Sequence, residues 1–276
     1  ADGQTAMALT DNGNRFGAVD LFKECKKVGI KPIIGQTTYY AGRTNKETAG
    51  ADNPTFDLTL LAATNEGLEN LKKMSGKAYL EGFSYRPRVD YKLIEQHKDG
   101  IICLSGTLTS QIAMSIQQND WEGAKSAALR MRDLFGPENF YLEVAHTGND
   151  AQRKVTLGMR KLGEELGIPC VATNDVYYLK QEDWLAQDIM FCIRSGKSVA
   201  DQSRFRMGSK ELYLKSREEM ARAFKSWPEA LENTVKIAER CNIDIEFGVY
   251  HVPVYEAEDG SSPDDFFAKL HRPSYG

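Results

Sequence analysis

Short apolar runs alternate with amphipathic segments of helical period along most of this 276-residue chain. The apolar runs are nearly continuous, which is typical of strands that are buried on both faces of a parallel sheet. The segments between them repeat apolar residues every three or four positions, as helices do when they cover a sheet. The alternation predicts a parallel α/β architecture, and the number of strands favours an (α/β) barrel over a small doubly wound sheet. The predicted strands are 5–11, 31–40, 56–63, 100–106, 140–146 and 168–175.

The composition limits the classes of function. A net charge of -4 gives no overall basic character, so a nucleic-acid contact would need a local patch or a partner. The five cysteines are scattered and form no C-x-x-C pair, which indicates buried, reduced thiols. The sequence has no apolar run long enough to span a bilayer and no signal-peptide pattern. We therefore expect a cytoplasmic protein without membrane association.

Polar side chains recur where the predicted strands end. In a barrel, the carboxyl ends of the strands meet at one face, and that face carries the active site. Taken singly, each of these residues could cap a helix or stabilise a turn, but their recurrence at strand after strand favours a site. The residues are Asp11, Asn12, Thr37, Glu143, His146, Asn174 and Asp175.

Seven segments together resemble one known family. They are ALTDNGNRFGAV, KKVGIKPIIG, LTLLAATNEGLENLKKMSGKAYLEGF, GIICLSG, GIPCVATNDVYYL, ELYLKSREEM and PEALENTVKIAERCNI. In this order they resemble the PHP (polymerase and histidinol phosphatase) domain at the front of bacterial replicative DNA polymerase III alpha subunits. The resemblance implies an α/β fold, a distorted (βα)7 barrel. It also implies a PHP domain over residues 1–250 and a connector over 251–276 that leads toward a palm domain. The family's first strand, which carries a His-x-His motif, would precede Ala1, so we expect the barrel to lack that strand.

Active members of the family bind two or three metal ions through His, Asp and Glu side chains at the strand ends. Such a cluster activates water for attack on a phosphoester. Four of the implied ligand positions carry other residues in this sequence, namely Asn12, Thr37, Thr147 and Tyr177. The resemblance therefore implies a degenerate metal site.

The acidic ligands are better preserved than the imidazoles. Asp11, Glu143 and Asp175 stand at family ligand positions, and Asp57 stands where the family has a histidine. His146 is one residue away from a lost histidine and is a candidate replacement ligand. Carboxylates of this kind suit Mg²⁺ better than zinc-like metals, which prefer imidazole.

Two functions follow from the resemblance. In the main hypothesis the domain is a non-catalytic scaffold that docks the separate proofreading 3′–5′ exonuclease subunit and has no cofactor of its own. Template-directed DNA synthesis with Mg²⁺, and contact with DNA and the sliding clamp, would belong to the rest of the polymerase alpha subunit. In the alternative, the domain is a metal-dependent phosphoesterase or 3′–5′ exonuclease that uses Asp11, Glu143, Asp175 and His146 with a divalent cation.

Two basic stretches are weaker candidates for nucleic-acid contact. The segment 83–92 carries Arg86 and Arg88, and the segment 203–210 carries Arg204 and Arg206. The competing interpretation for both stretches is a solvated loop.

Overall fold

The computed structural model describes residues 2–250 and 255–271. Its contacts divide the chain into two compact units, Ala1–Ile243 and Asp244–Gly276. The predicted connector 251–276 falls partly on 251–254 and 272–276, which lie outside the described residues. None of the helices in the described ranges combines the length and the apolar character needed to cross a membrane.

The first unit contains a sheet with helices packed against it. The strands are β1 (Ala6–Leu9), β2 (Lys31–Ala41), β3 (Thr55–Ala62), β4 (Phe83–Ser84), β5 (Arg86–Val89), β6 (Ile101–Leu104), β7 (Phe140–Ala145) and β8 (Cys170–Thr173). The helices are α1 (Ala18–Lys27), α2 (Asn65–Glu81), α3 (Tyr91–Gln96), α4 (Gln111–Gln117), α5 (Trp121–Phe135), α6 (Asp150–Leu166), α7 (Trp184–Ser195), α8 (Arg217–Ala223) and α9 (Pro228–Arg240). The second unit contains α10 (Pro263–His271).

The eight strands form one sheet in the order β4-β5-β2-β3-β6-β7-β8, and β1 pairs with β2. The long strand β2 pairs in parallel with two strands, with β1 along residues 31–34 and with β5 along residues 39–40. The sheet curls into a half-barrel with helices around it, which confirms the predicted α/β barrel class.

The prediction of an all-parallel sheet is wrong at β3. This strand runs antiparallel to β2 and to β6. The chain between β2 and β3 is a loop over residues 42–54 that contains no helix, so the chain returns directly beside β2 instead of crossing over. As a consequence, the start of β3 lies at the same edge of the sheet as the ends of β6, β7 and β8.

The centre of the barrel unit is apolar and close-packed. Leu60, Ile102 and Leu142 lie on adjacent or nearby strands and are fully buried. All five cysteines are buried and free, which confirms the predicted reduced thiols. The ends of β6, β7 and β8, together with the start of β3, form one edge of the sheet, which we call the mouth of the half-barrel.

Candidate functional site

Three carboxylates converge at the mouth of the half-barrel. Glu143 lies near the end of β7, Asp175 follows β8, and Asp57 lies near the start of the reversed strand β3. Their proximity is visible in their electrostatics, because Asp57 raises the pKa of Asp175, and Asp175 raises the pKa of Glu143. We call these three residues the acidic cluster. The strand-end argument named Glu143 and Asp175, whereas Asp57 came only from the resemblance.

Glu143 is the most enclosed member of the cluster. Its Oε2 accepts a hydrogen bond from the Thr59 hydroxyl at 3.2 Å, and its Oε1 accepts one from the Thr173 hydroxyl at 2.9 Å. Burial raises the pKa of Glu143 to about 7, and the two threonine hydrogen bonds oppose that shift. Both carboxylate oxygens are thus held by hydroxyl groups of the protein itself.

The two aspartates of the cluster are less enclosed. Asp57 accepts a short hydrogen bond from the Thr109 hydroxyl. Asp175 keeps surface open to solvent, yet the protein atoms crowded around it act as burial does and raise its pKa to about 6, with Asp57 adding to the shift. In both Glu143 and Asp175, burial is the larger cause of the raised pKa, and a neighbouring carboxylate adds to it.

Asp11 has a local structural role. Its carboxylate accepts a hydrogen bond from the backbone N–H of Gly17 at 3.1 Å, just before α1 begins. Carboxylates in this position satisfy the free N–H groups at the start of a helix. The interpretation of such polar residues as helix caps therefore fits Asp11, and its role as a metal ligand stays a prediction.

The replaced ligand positions near Asp11 are joined through the backbone. Asn12 and Thr37 form an isolated parallel bridge. Thr37 lies inside β2 and not at its end as expected, because β2 extends to Ala41. The Thr37 hydroxyl donates a hydrogen bond to the backbone oxygen of Thr10 at 3.2 Å, so it stabilises the strand.

The replaced positions after β7 and β8 contact a segment that sequence analysis did not assign to the site, residues 209–215. The backbone oxygen of Thr147 accepts a short hydrogen bond from the Ser209 hydroxyl, and the backbone N–H of Tyr177 donates one to the oxygen of Leu212 at 2.9 Å. His146 is exposed beside the buried Thr147, and its role as a replacement ligand stays a prediction. Burial, reinforced by Asp175 and Asp57, raises the pKa of Tyr177 to about 12.

The same segment brings a buried cation to the mouth. The Lys215 ammonium lies 3.3 Å from the Glu211 carboxylate and 3.4 Å from the Asn174 side-chain oxygen. The side-chain amide of Asn174 donates to the backbone oxygen of Tyr213 at 2.6 Å. Lys215 thus fastens the segment to the loop after β8. No motif in the sequence pointed to it, because its role depends on contacts 41 residues apart.

The four arginines predicted to contact nucleic acid have different environments. Arg88 is 1% exposed, and its guanidinium donates to backbone oxygens of Gly82 and Asn45, each at 3.3 Å. Arg204 forms a bidentate ion pair with Asp188, and both side chains are nearly buried. Arg86 and Arg206 are exposed, and nucleic-acid contact through them stays a prediction.

A metal cluster of the kind that the resemblance implies does not fit these residues. Within the described ranges, no group of three or more His, Cys, Asp and Glu side chains has an arrangement that could hold a metal ion. Each oxygen of Glu143 already accepts a hydrogen bond from a threonine hydroxyl, which uses one lone pair on each oxygen that a cation would contact. A two- or three-ion cluster also needs several strong ligands, and here hydroxyl and amide groups stand at four of the ligand positions that the resemblance implies, namely Asn12, Thr37, Thr147 and Tyr177.

Comparison with known proteins gives the relatives of this chain. The PHP domain family matches residues 1–147. The DNA polymerase III subunit alpha of Treponema pallidum (strain Nichols) is 42% identical over 271 residues, which are 98% of this chain and 23% of the relative. The subunit of the same name from Borreliella burgdorferi is 44% identical over 86% of this chain and 21% of the relative.

A relative of lower identity also matches nearly the whole of this chain. The DNA polymerase III subunit alpha of Thermus aquaticus is 35% identical over 96% of this chain and 22% of the relative. The chain therefore spans less than a quarter of the length of these relatives. Since the family match covers more than half of its residues, the chain belongs to the PHP domain family.

Proposed function

We propose that this chain is the PHP domain region of a DNA polymerase III alpha subunit. The support is the identity of 35% to 44% to proteins of that name across most of the chain. In this proposal the PHP domain occupies residues 1–250, and 251–276 connect it to the palm. Template-directed DNA synthesis with Mg²⁺, and contact with DNA and the sliding clamp, are activities of the whole subunit.

The domain itself is, in our proposal, a non-catalytic scaffold that docks the proofreading exonuclease subunit. One observation carries the non-catalytic part: the carboxylate of Glu143 is satisfied by the hydroxyls of Thr59 and Thr173. A hydrolytic centre would direct both oxygens of that carboxylate toward its cations, whereas here each oxygen already accepts a hydrogen bond from a hydroxyl of the protein.

Two measurements test the two parts of this proposal separately. For catalysis, the purified chain is assayed for hydrolysis of phosphomonoesters and of single-stranded DNA with Mg²⁺, Mn²⁺ or Zn²⁺ present. We expect no hydrolysis above that of the Asp175→Ala variant. Hydrolysis that disappears in Asp175→Ala would favour the metal-dependent phosphoesterase over the scaffold.

For docking, the chain is titrated calorimetrically with the exonuclease subunit from the same organism. We expect saturable binding at one exonuclease per chain, and the same binding in the Asp175→Ala variant because the acidic cluster is not the docking surface. An exonuclease that does not bind the folded chain would contradict the docking role, whatever the hydrolysis assay shows.

A further inference from the structure

The loop after α7 lies between two glycines in the left-handed conformation. Gly196 ends α7 with a φ of 64°, and Gly208 has a φ of 69° just before the segment 209–215. Residues with a side chain adopt this conformation at a cost, whereas glycine enters and leaves it freely. We call residues 198–207 the strap, and the two glycines are the points about which its backbone can turn.

The strap is closed by its own hydrogen bonds. The backbone N–H and the hydroxyl of Ser203 both donate to the Asp201 carboxylate at 2.8 Å. The guanidinium of Arg204 donates through Nε to the backbone oxygen of Val199 at 3.1 Å. At the border of the strap, the Lys197 ammonium donates to the Ser203 hydroxyl at 2.7 Å. A compact loop that is held by contacts of this kind keeps its shape when it moves.

A single ion pair attaches the strap to another element. Asp188 of α7 pairs with Arg204 through two contacts of 2.5 and 2.6 Å, and the two side chains are 11% and 6% exposed. Between residues that the structure describes, the strap has no other hydrogen bond or ion pair to a helix or strand. We call this pair the latch. Because it is nearly buried, loss of one partner would leave the other charge uncompensated.

The strap covers one side of α7. The helix buries Asp188 and Cys192, which are four residues apart and therefore lie on the same side. Arg204 binds the first of these residues, and its charge also interacts with the second. Movement of the strap away from α7 would therefore expose the Cys192 thiol.

Three aromatic rings connect the strap to the mouth of the half-barrel. Phe205 of the strap lies edge-on to Phe191 of α7, with ring centroids 5.3 Å apart. Phe191 lies 6.4 Å from the ring of Tyr177, which follows β8 beside Asp175. Movement of the strap would remove the first ring of this series, so the position of the strap affects the packing of Tyr177.

Little apolar surface holds the strap in place. Its two large apolar side chains next to the latch, Val199 and Phe205, are 48% and 63% exposed. Regions that bury few apolar contacts open at a low free energy while the rest of the protein stays folded. The latch is therefore the main barrier to opening.

We propose that the strap is a lid on one flank of the mouth. It opens as a unit about Gly196 and Gly208 when the latch breaks, and the rest of the barrel unit stays folded. Opening exposes the covered side of α7 and releases the ring contacts that end at Tyr177. The proposal rests neither on the docking of the exonuclease nor on the absence of hydrolysis.

The test measures the alkylation of cysteines in the complete chain by iodoacetamide, resolved by peptide mass spectrometry. Cys192 reports opening of the strap, and Cys103 of β6, which is 0% exposed, reports unfolding of the barrel unit. In the wild type we expect Cys192 to react at least about tenfold faster than Cys103, because local opening costs less than unfolding. The rate of Cys192 should also depend less on urea, because local opening exposes little surface.

Asp188→Asn breaks the latch and keeps the shape of the side chain. It should speed the alkylation of Cys192 and the trypsin cleavage after Arg206 at least about tenfold, because it leaves Arg204 without its counter-charge. Glu164→Gln is the matched control, since it removes a more exposed ion pair on α6, and it should change neither rate. Circular dichroism spectra establish that the variants are folded.

A core variant separates opening of the strap from unfolding. Leu71 of α2 is 1% exposed, so Leu71→Ala should destabilise the barrel unit and speed the alkylation of Cys103. The rate of Cys192 should stay unchanged, because the strap opens without unfolding of α2.

Three results would overturn the proposal. The first is a wild type in which Cys192 and Cys103 react at equal rates with equal dependence on urea. The second is a Leu71→Ala variant in which both cysteines speed up by the same factor. The third is a folded Asp188→Asn variant that reacts at Cys192 no faster than the wild type.

Discussion

Threonine hydroxyls hold the buried carboxylate at the mouth of the half-barrel. Thr59 comes from β3 and Thr173 from β8, so their two hydrogen bonds to Glu143 of β7 join three strands. A buried carboxylate without donors would cost several kcal/mol, and each hydroxyl offsets part of that cost. These hydrogen bonds therefore stabilise the barrel at its mouth.

Removing one of these hydroxyls should therefore lower stability. Thr173→Val keeps the shape of the side chain and deletes the donor to Glu143, and we expect a loss of about 1–3 kcal/mol in the free energy of unfolding. Urea denaturation measures the loss. Thr234→Val is the control, since the Thr234 hydroxyl bonds only to Leu231 within its own helix, and equal losses in the two variants would contradict the role of Thr173.

The raised pKa of Glu143 predicts how stability depends on pH. The folded state holds the proton of Glu143 up to about pH 7, whereas the unfolded chain releases it near the ordinary value of 4.5. Protonated Glu143 therefore contributes its full share to the free energy of unfolding below pH 4.5, and this share is lost as the pH rises through 7. The loss is about 1.4 kcal/mol for each unit by which the folded and unfolded pKa values differ. Asp175, with a pKa of about 6, adds a change of the same sign.

Urea midpoints of the wild type and of Glu143→Gln, measured at about pH 5 and about pH 8, test this sign. The wild type should lose more stability between the two pH values than Glu143→Gln, which has no proton to release. A wild type that gains stability over this interval relative to the variant would show that Glu143 is ionised in the folded state.

At the scale of elements, the sequence pattern located the main strands but not their directions. The runs predicted over 31–40, 56–63 and 140–146 correspond to β2, β3 and β7 within one residue at each end. Their directions could not be predicted, because a strand buried on both faces has the same apolar pattern in parallel and antiparallel sheets. The reversed direction of β3 is what brings Asp57 to the mouth.

Short elements were missed for a different reason. The stretch 83–92 was expected to be a loop that leads into a helix, and it contains β4 and β5, which pair around Tyr85. Tyr85 has a positive φ of 59°, which is unusual for a tyrosine. The sequence contains no turn motif that predicts this conformation. β4 and β5 have the sequences FS and RPRV, so neither forms an apolar run of the kind that marked the other strands.

The packing of α2 gives a prediction at this scale. A Cβ added at Gly67 would lie 1.9 Å from the backbone oxygen of Gly100, whereas one added at Gly76 of the same helix has nothing within 4 Å. Gly67→Ala should therefore destabilise the protein despite the better helix propensity of alanine, and Gly76→Ala should stabilise it by up to about 1 kcal/mol. Thermal unfolding of the two variants measures both effects, and a stabilised Gly67→Ala would contradict the described approach of α2 to the loop before β6.

For the molecule as a whole, the approach of Glu143 to Asp175 could be predicted, whereas the arrival of Asp57 and the hydrogen bonds that hold the acidic cluster could not. Strand-end positions predicted that Glu143 and Asp175 would meet. The donors Thr59 and Thr109 come from parts of the chain that only the folded sheet brings near. The central claim is that this half-barrel keeps its acidic mouth as structure and no longer as a cation centre.

The most direct measurement of that claim is the number of divalent ions that the native chain binds. Mn²⁺ is titrated calorimetrically into wild-type protein and into the Glu143→Gln and Asp175→Ala variants, and native mass spectrometry counts the ions retained per chain. The account predicts no stoichiometric binding and no difference between the wild type and the variants. Two tightly bound ions per wild-type chain, lost in both variants, would contradict it.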